Sequence, residues 1–236
     1  MMKDATDRPV GPKVDPLPAG HKPDGRPLFG RYVLLEHVSS AKHGQDLYES
    51  FAQADRQGDL WTYMGYGPFE DLEQFLAWLK TRETSSDPLS YAYVPKQTGR
   101  AAGMGAFMRL DVANGVIEIG HIWLSPRLQR TREATESIYL MMRHAFEDLG
   151  VRRLEWKCDA LNMPSRRAAD RFGFTFEGVF RQHFIVKGRN RDTAWYSMID
   201  KEWGSVRRCF DRWLDPANFD SSGRQKGKLK AAPKRS

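Results

Sequence analysis

The first third of the chain alternates between strand-like and helical hydrophobic patterns. Residues 32–35 form a short apolar run that predicts a strand. Apolar residues then recur every three or four positions over residues 41–53 and again over residues 69–82, which predicts two helices. Residues 59–68, between them, combine aromatic residues with glycine and predict a loop. A strand followed by two helices is therefore expected before the central part of the chain.

The central part of the chain predicts an antiparallel meander. Three stretches have strand-like composition, at residues 91–94, 101–110 and 116–124. The last two are separated by Asn114 and Gly115, a pair that favours a type I′ turn because both central residues of that turn need positive φ. Strands joined by such tight turns pair in antiparallel fashion.

The second half of the chain mixes helices with strands. Residues 134–149 carry an apolar stripe and predict a helix, which Gly150 ends as a C-terminal cap. The other predicted elements are strands at residues 153–158, 174–186 and 194–199, and helices at residues 165–172 and 203–213. A strand–helix–strand unit implies a parallel pair of strands. We therefore expect a mixed sheet in an α/β or α+β domain.

Both ends of the chain are expected to be disordered. Residues 1–27 contain six prolines, which block helices and central strands. Residues 215–236 have no acidic residue after Asp220, and their basic residues predict a solvated tail or, alternatively, contact with RNA, the ribosome or membrane phosphates. Between these ends we expect a domain over residues 28–200 and a helix over residues 201–214.

Composition narrows the functional classes. The chain has 236 residues, of which 40% are hydrophobic, so a folded core is expected. The two cysteines, Cys158 and Cys209, are too few for a disulfide framework and match no metal-site spacing. No apolar run has membrane-spanning length, and no signal peptide precedes the domain. These features predict a soluble cytoplasmic protein without a metal.

The chain contains two short signatures. The first is residues 118–126 followed by residues 129–136, and the second runs from Asn162 through residues 171–174 to residues 177–178. Together they resemble the RimJ/RimL type of the GNAT superfamily of N-acetyltransferases. The resemblance covers roughly residues 30–200. It implies a GNAT fold with a central, mixed but mostly antiparallel sheet flanked by helices. It also implies acetyl-CoA as co-substrate and acetyl transfer to a primary amine, either a protein N-terminus or a small amine, by direct attack in a ternary complex.

The resemblance also implies which residues bind acetyl-CoA. A strand–loop–helix junction suits its pyrophosphate, because a helix N-terminus presents unpaired N–H groups and the positive end of a dipole. Asn162 is implied to hold the pantetheine arm, or it caps the following helix. Arg132 stands where the family pattern has a glycine. The predicted cofactor-binding residues are Ile122, Trp123, Leu124, Gln129, Arg130, Thr131, Arg132, Glu133, Ala134, Thr135 and Asn162.

Three residues are candidates for the chemistry. Glu118 lies on the central strand, where many GNAT enzymes place a general base, although a strand glutamate can also face solvent or pair with an arginine. His121 is the competing base or a sheet histidine with a structural role. Ser165 is implied as the acid that protonates the leaving thiolate, or as a helix cap. Backbone N–H groups near residues 122–124 are implied to stabilise the oxyanion.

The acceptor is expected to bind near the aromatic loop. Trp61, Tyr63, Tyr66 and Phe69 either border the acceptor pocket or cover the core, and His183 is a further candidate for the pocket. We expect a monomer or a homodimer. A second function stays open at this point, a non-catalytic GNAT-fold module that binds RNA or a ribosomal partner through its basic tail.

Overall fold

The computed structural model describes residues 2–3, 7–18, 20–52, 54–55 and 58–231 of the chain. In these residues, an eight-stranded sheet has the order β3-β4-β5-β6-β7-β8-β10-β9, and two short strands, β1 and β2, pair with each other outside it. The strands are β1 Met2–Lys3, β2 Pro9–Val10, β3 Leu28–Phe29, β4 Val33–His37, β5 Leu89–Pro95, β6 Gly103–Asp111, β7 Val116–Leu124, β8 Arg153–Asp159, β9 Thr175–Val186 and β10 Arg189–Ile199.

The large sheet is mixed, as predicted. Strands β7 and β8 form a parallel pair, joined by the helix that the strand–helix–strand pattern indicated. The other neighbouring strands of this sheet pair in antiparallel fashion. The parallel pair therefore lies inside an otherwise antiparallel sheet, which confirms the predicted fold class.

Five α-helices flank the sheet, and polar side chains define where several of them start. They are α1 Ser40–Ala52, α2 Leu72–Glu83, α3 Arg132–Arg143, α4 Met163–Phe172 and α5 Asp200–Trp213. Asp71, Thr131 and Asn162 precede α2, α3 and α4, and each side chain accepts a hydrogen bond from the N–H three residues later. Because Thr131 and Asn162 are caps, α3 and α4 begin two residues before the predicted positions.

The buried apolar side chains form two clusters. The larger one includes Ile138 and Met141 of α3, Val206 and Phe210 of α5, and the strands between them. The smaller one joins α1 and α2 to the sheet through aromatic residues such as Phe51, Phe75 and Trp123. The described part of the chain contains no helix that is both long and apolar enough to cross a membrane.

The prediction of a disordered tail over residues 215–236 is wrong for residues 215–231. Phe219, Leu229 and Ala231 are buried in the larger cluster, and the indole N–H of Trp213 donates to Gln225. The apolar residues that lie between the lysines are buried, whereas the charged ends of the lysines stay in water. The net charge of the segment gave no indication of this burial. Residues 232–236 of the predicted tail lie outside the described residues.

The leader prediction also needs correction near the domain. Arg26 pairs with Asp148 at 2.9 Å, and the Tyr91 hydroxyl donates to the Arg26 carbonyl at 3.3 Å. Pro9–Val10 is a short strand despite the prolines. A pair of two-residue strands needs few backbone N–H donors, and proline lacks only its own. Residues 1, 4–6 and 19 of the predicted leader lie outside the described residues.

The hairpin between β6 and β7 is present, but its turn differs from the predicted type I′. Asp111 pairs with Val116, so four residues form the loop. Gly115 has a φ of 62°, whereas Asn114 is not among the positive-φ residues. Asn114 instead donates from its backbone N–H and side-chain amide to the Asp111 carboxylate. This local bonding stabilises a conformation that the dipeptide alone does not specify.

Candidate active site

The two central strands separate after a short paired section. Val116, Ile117 and Glu118 of β7 pair with residues of β8, and Glu118 lies opposite Glu155. Farther along, β7 pairs with β6 up to Leu124, and β8 pairs with β10 up to Asp159. The facing edges of residues 119–124 and 156–159 thus have no ladder partner in the described sheet. Backbone N–H and C=O groups on these edges line a wedge-shaped opening.

A bulge lies at the start of this wedge. His121 and Ile122 of β7 stand opposite the single residue Gly105 of β6. His121 has a φ of 50°, which is uncommon for a residue other than glycine. A Cβ on Gly105 would lie 1.9 Å from the Tyr93 hydroxyl, so only glycine fits here. Bulges turn the backbone and re-aim side chains, and this one lies at the point where the central strands part.

The wedge leads to the N-terminus of α3. The Thr131 side chain accepts a hydrogen bond from the Ala134 N–H at 3.1 Å, and the Gln129 amide donates to the Leu124 carbonyl at 3.0 Å. The N–H groups of Arg132 and Glu133 precede the first intrahelical bonds. No acceptor for them is recorded among the described residues. This junction can therefore bind an anion such as a pyrophosphate.

Arg132 does not need the backbone freedom of the family glycine in whose position it stands. It is the first residue of α3, and the positive φ of the junction, 62°, is at Arg130. The Arg132 guanidinium lies 4.2 Å from the ring centroid of Tyr32 and 5.4 Å from that of Phe219. Its Nε is 3.1 Å from a carboxylate oxygen of Glu133. The side chain is thus stacked on the described part of the C-terminal segment, and the backbone keeps its helical start.

A cavity of about 440 Å³ adjoins the same junction from the side of α1. Leu128, Thr131 and Glu133 of the junction line one wall, and Arg100, Ala101 and Ala102 line another. Arg100 is held by Asp46 at 2.8 Å and by Glu49 at 2.5 Å. The junction is thus accessible from this side of the sheet.

On the other side of the wedge, Asn162 and Ser165 have separate roles. Asn162 caps α4 by accepting the Ser165 N–H at 3.1 Å, which leaves its amide N–H groups free of that bond. Ser165 lies inside the helix, so the alternative that it acts as a cap is wrong. Its hydroxyl oxygen accepts the indole N–H of Trp156 at 3.0 Å. Burial raises the pKa of the neighbouring Cys158 thiol, and a hydrogen bond from the Ser165 hydroxyl opposes this effect.

Glu118 is buried at the closed end of the wedge. It is 4% exposed, and its carboxylate lies 3.0 Å from Lys157 Nζ and 3.5 Å from the Arg109 guanidinium. Burial raises its pKa, although Lys157 and Arg109 oppose this effect. The sequence left open that Glu118 pairs with an arginine. Glu118 does pair with Arg109, and it also pairs with Lys157.

His121, the other candidate base, lies in surroundings that disfavour its charged form. Its Nδ1 lies 3.3 Å from the Tyr66 hydroxyl, and the two rings stack with centroids 5.6 Å apart. Burial, together with the charges of Arg82, Arg109 and Arg191, lowers its pKa to about 4. His121 is therefore neutral at pH 7.

A comparison with protein families matches residues 33–175 to the model described as the acetyltransferase (GNAT) domain. The chain belongs to the GNAT acetyltransferase family. The parallel strands that part after Glu118, the bulge and the helix N-terminus are thus the features of a GNAT acetyltransferase, and the predicted membership is confirmed.

Individual GNAT relatives agree with this assignment. A GCN5-related N-acetyltransferase from Brucella melitensis is 46% identical, with a TM-score of 0.87 over 91% of this chain and 96% of that one. The N-acetyltransferase p20 of Bacillus licheniformis, which is uncharacterized, is 26% identical over 60% of this chain and 80% of its own. YdaF of Bacillus subtilis, provisionally named as a ribosomal N-acetyltransferase, is 30% identical over 44% of this chain. The chain matches 57% of the length of YdaF.

The aromatic loop of this GNAT protein divides between the core and the site. Trp61 is 1% exposed and packs against Phe51 and Trp123, with ring centroids 5.0 and 5.5 Å away. Phe69 packs on Trp61 in the same cluster. These two residues fit the alternative of a core cover. Tyr66 contacts His121 beside the bulge, and its place at the acceptor pocket stays a prediction.

The same loop makes polar contacts on two sides of the wedge. The Tyr63 hydroxyl donates to the Leu161 carbonyl at 3.1 Å, between β8 and α4. Lys187, at the turn between β9 and β10, donates to the Trp61 carbonyl at 2.9 Å. The loop, the β8–α4 connection and the β9–β10 hairpin thus meet beside the wedge.

Several charged residues of the site are absent from the sequence prediction. Arg109 of β6, Lys157 of β8 and Arg191 of β10 lie around Glu118, Phe184 and Trp195. His183, a predicted pocket residue, packs against Phe184 with ring centroids 3.8 Å apart and the ring planes tilted by 39°. The available signal was the alternation along β8, which places Glu155 and Lys157 on one face of the strand and Leu154, Trp156 and Cys158 on the other. Among the described residues, no group of His, Cys, Asp and Glu side chains is arranged to hold a metal ion.

Proposed function

We propose that this GNAT protein transfers the acetyl group of acetyl-CoA to a primary amine by direct attack in a ternary complex. The observation that carries the proposal is the wedge between β7 and β8, which begins after Glu118 and leads to the free N–H groups of α3. A slot with unpaired backbone edges suits an amide-containing arm, and a helix N-terminus suits a pyrophosphate. Acetyl-CoA carries both groups in that order.

The residues present fit this co-substrate. The pyrophosphate would lie at residues 129–135, with the N–H groups of Arg132 and Glu133 as its principal donors. The pantetheine arm would run between the open edge of residues 122–124 and the Asn162 amide. Trp123 contributes its backbone only, because its ring is buried against α1.

The reaction forms a C–N bond, breaks the C–S bond of the thioester and moves one proton from the amine and one to the thiolate. We place the base at Glu118, acting through water. A base works best when its pKa approaches the working pH. Burial moves the pKa of Glu118 upward in this direction, whereas it moves the pKa of His121 away, to about 4. His121 remains the second candidate, since it borders the bulge.

Ser165 is proposed as the proton donor to the thiolate. Its oxygen already accepts the Trp156 N–H, which orients the hydroxyl. Backbone N–H groups along the open edge of residues 122–124 are proposed to stabilise the oxyanion.

The acceptor is proposed to be a protein N-terminus or a small amine. The name of YdaF supports the first class, and the loop contacts above the wedge support the second, because they restrict access for a large partner. The alternative of a non-catalytic module that binds through a basic tail is not favoured, since Phe219, Leu229 and Ala231 of that tail are buried in the core of the domain.

The helix N-terminus offers a direct test of cofactor binding. Glu133→Pro removes one of the free N–H groups of α3, and Pro164 at the corresponding position of α4 shows that this helix turn accepts proline. A ligand that binds only the native state stabilises it by about 2.7 kcal/mol at a hundredfold excess over its dissociation constant. We expect acetyl-CoA to raise the melting temperature of the wild type and to do so less for Glu133→Pro.

Two controls separate this effect from general damage. Glu73→Pro makes the same change at the same position of α2, after the capping residue Asp71. Glu133→Gln keeps the N–H and removes only the carboxylate. Both should retain the response to acetyl-CoA. No stabilisation of the wild type by millimolar acetyl-CoA would contradict the proposal.

A further inference from the structure

Three cations from three different strands gather on the acceptor side of the wedge. The guanidinium carbons of Arg109 and Arg191 lie 5.4 and 5.7 Å from the ring centroid of Phe184. Lys157 Nζ lies 3.8 Å from the ring centroid of Trp195. Packing against aromatic rings holds these charged groups in fixed positions rather than in free solution.

The carboxylates nearby do not neutralise all of this charge. Lys157 is paired with Glu118 at 3.0 Å and with Glu155 at 2.5 Å. Arg109 shares Glu118 at 3.5 Å and remains 42% exposed. Arg191 makes no ion pair with a carboxylate in the described part of the chain. Its Nε donates to the Thr193 hydroxyl at 3.2 Å. Burial lowers the pKa of Arg191, which is the mark of an incompletely compensated cation.

Two further polar groups in this cluster lack partners. The indole nitrogen of Trp195 and Nδ1 of His183 are buried and make no hydrogen bond within the described ranges. The centroids of the Trp195 and His183 rings lie 6.0 Å apart, and the His183 ring packs at a tilt against Phe184. Buried polar groups without partners are rare in folded proteins and call for a ligand or a water molecule.

This cluster lies away from the proposed pyrophosphate site. Glu118, which binds two of the cations, is at the closed end of the wedge, whereas α3 begins beyond Leu124 at the other end of β7. Six residues of strand span roughly 20 Å. Lys157 and Arg109, which bind Glu118, are therefore too far from the α3 N-terminus to serve the same phosphates. Arg191 packs on the same ring of Phe184 as Arg109.

We propose that Arg191 and Arg109, with Trp195 and His183, form an anion-binding subsite of the acceptor pocket, so that the acceptor is a primary amine bearing a carboxylate or phosphate. This inference rests on the proposed acetyl transfer. The positive charge also assists the chemistry, because neighbouring cations favour the neutral form of a bound amine, which is the form that attacks.

Matched pairs of amines test the subsite. β-Alanine and β-alaninamide differ only in the carboxylate, and 2-aminoethyl phosphate and ethanolamine differ only in the phosphate. Binding to the CoA-loaded protein is measured by calorimetric titration, and acetylation is measured by mass. A charge-assisted contact is typically worth a factor of ten or more. We therefore expect the anionic member of at least one pair to bind at least about tenfold more tightly, and the preferred pair identifies the anion.

Variants of the hairpin assign that preference to a residue. Arg191→Gln should reduce the ratio within the preferred pair to near one by raising the dissociation constant and KM of the anionic amine, and Arg191→Lys should restore part of it. Arg189→Gln, an exposed arginine on the same hairpin, should keep the wild-type ratio.

Equal binding within both pairs, no binding of either anionic amine, or an equal ratio in Arg191→Gln and the wild type would each overturn the subsite. These results are distinct from failure of the proposed function. Acetylation of both members at equal rates retains the function and refutes the subsite. Tighter binding of the anionic member without any acetylation retains the subsite and refutes the function.

Discussion

Replacing Glu136 tests how the start of α3 is connected to the edge of the sheet. The buried carboxylate of Glu136 accepts the backbone N–H groups of Arg31, Tyr32 and Val33 at 2.7, 2.6 and 2.9 Å. One carboxylate oxygen accepts two of these bonds and the other accepts the third. Glu136→Gln keeps the shape, removes the charge and turns one oxygen into a donor that faces an N–H.

The expected cost follows from these three bonds. A hydrogen bond to a charged group contributes about 1.5–3 kcal/mol, and a neutral one about 0.5–1.5 kcal/mol. If the glutamine oxygen takes the position of the twice-bonded oxygen, two bonds weaken and the bond to Arg31 is lost. We expect the free energy of unfolding to fall by about 3–5 kcal/mol. A domain of this size then loses roughly 10 °C in melting temperature.

Denaturant unfolding measures this change, with melting temperature as a second readout. Glu73→Gln, an exposed glutamate in the first turn of α2, serves as the control and should change stability by less than about 0.5 kcal/mol. A loss for Glu136→Gln no larger than that of the control would refute the assigned role of the carboxylate.

Three further predictions concern the C-terminal segment, the base and the buried histidine. Leu229→Ala should lower stability by about 2–3 kcal/mol because Leu229 is buried, while Lys228→Ala, which changes an exposed side chain, should have little effect in the same denaturant experiment. Glu118→Gln should lower turnover on a confirmed acceptor by about 10²–10⁴-fold, and higher pH should recover part of the rate because more amine is already neutral. His121→Ala should then cost less, and an equal or larger loss would move the base to His121. The pKa of His121 is lowered to about 4 from its ordinary value near 6.5, so the folded state binds this proton less readily than the unfolded chain. Stability that is present above pH 6.5 should thus be lost as the pH falls towards 4, by up to about 3 kcal/mol, and His121→Gln should show a correspondingly smaller loss in unfolding experiments across this range.

Elements with a strong local pattern were predictable from the sequence. The strand Val116–Leu124 has the predicted limits, and the helix before Gly173 ends where its glycine, with a φ of 90°, takes a left-handed conformation. Period, turn residues and a glycine cap act within a few residues of one another, so the sequence alone contains the information.

Features that depend on distant residues were not predictable. Leu229 and Ala231 are buried against a surface formed by other elements, and a basic composition gives no sign of that surface. Arg132 replaces the family glycine without cost because Tyr32 and Phe219 accept its side chain and the positive φ belongs to Arg130.

The same limit applies to the site. Each signature is a run of residues that are close together in the sequence. The strand–helix junction and Asn162, which the two signatures indicated, lie on opposite sides of the wedge in the structure. The cluster of Arg109, Lys157 and Arg191 comes from three strands, and only the order β6-β7-β8-β10 of the sheet brings them together. Its members carry no local motif, since each is a single charged residue in a strand.

Acetyl transfer itself is the most direct test of the central claim. The protein is incubated with acetyl-CoA carrying an isotopically labelled acetyl group, together with pooled primary amines and N-terminal peptides. Mass spectrometry follows the acceptors, and a thiol reagent follows released CoA. The account predicts a labelled amide on at least one acceptor, formed in equal amount to the acceptor-dependent CoA thiol and reduced in Glu118→Gln. Binding of acetyl-CoA without any acceptor-dependent thiol release, across both acceptor classes, would contradict it.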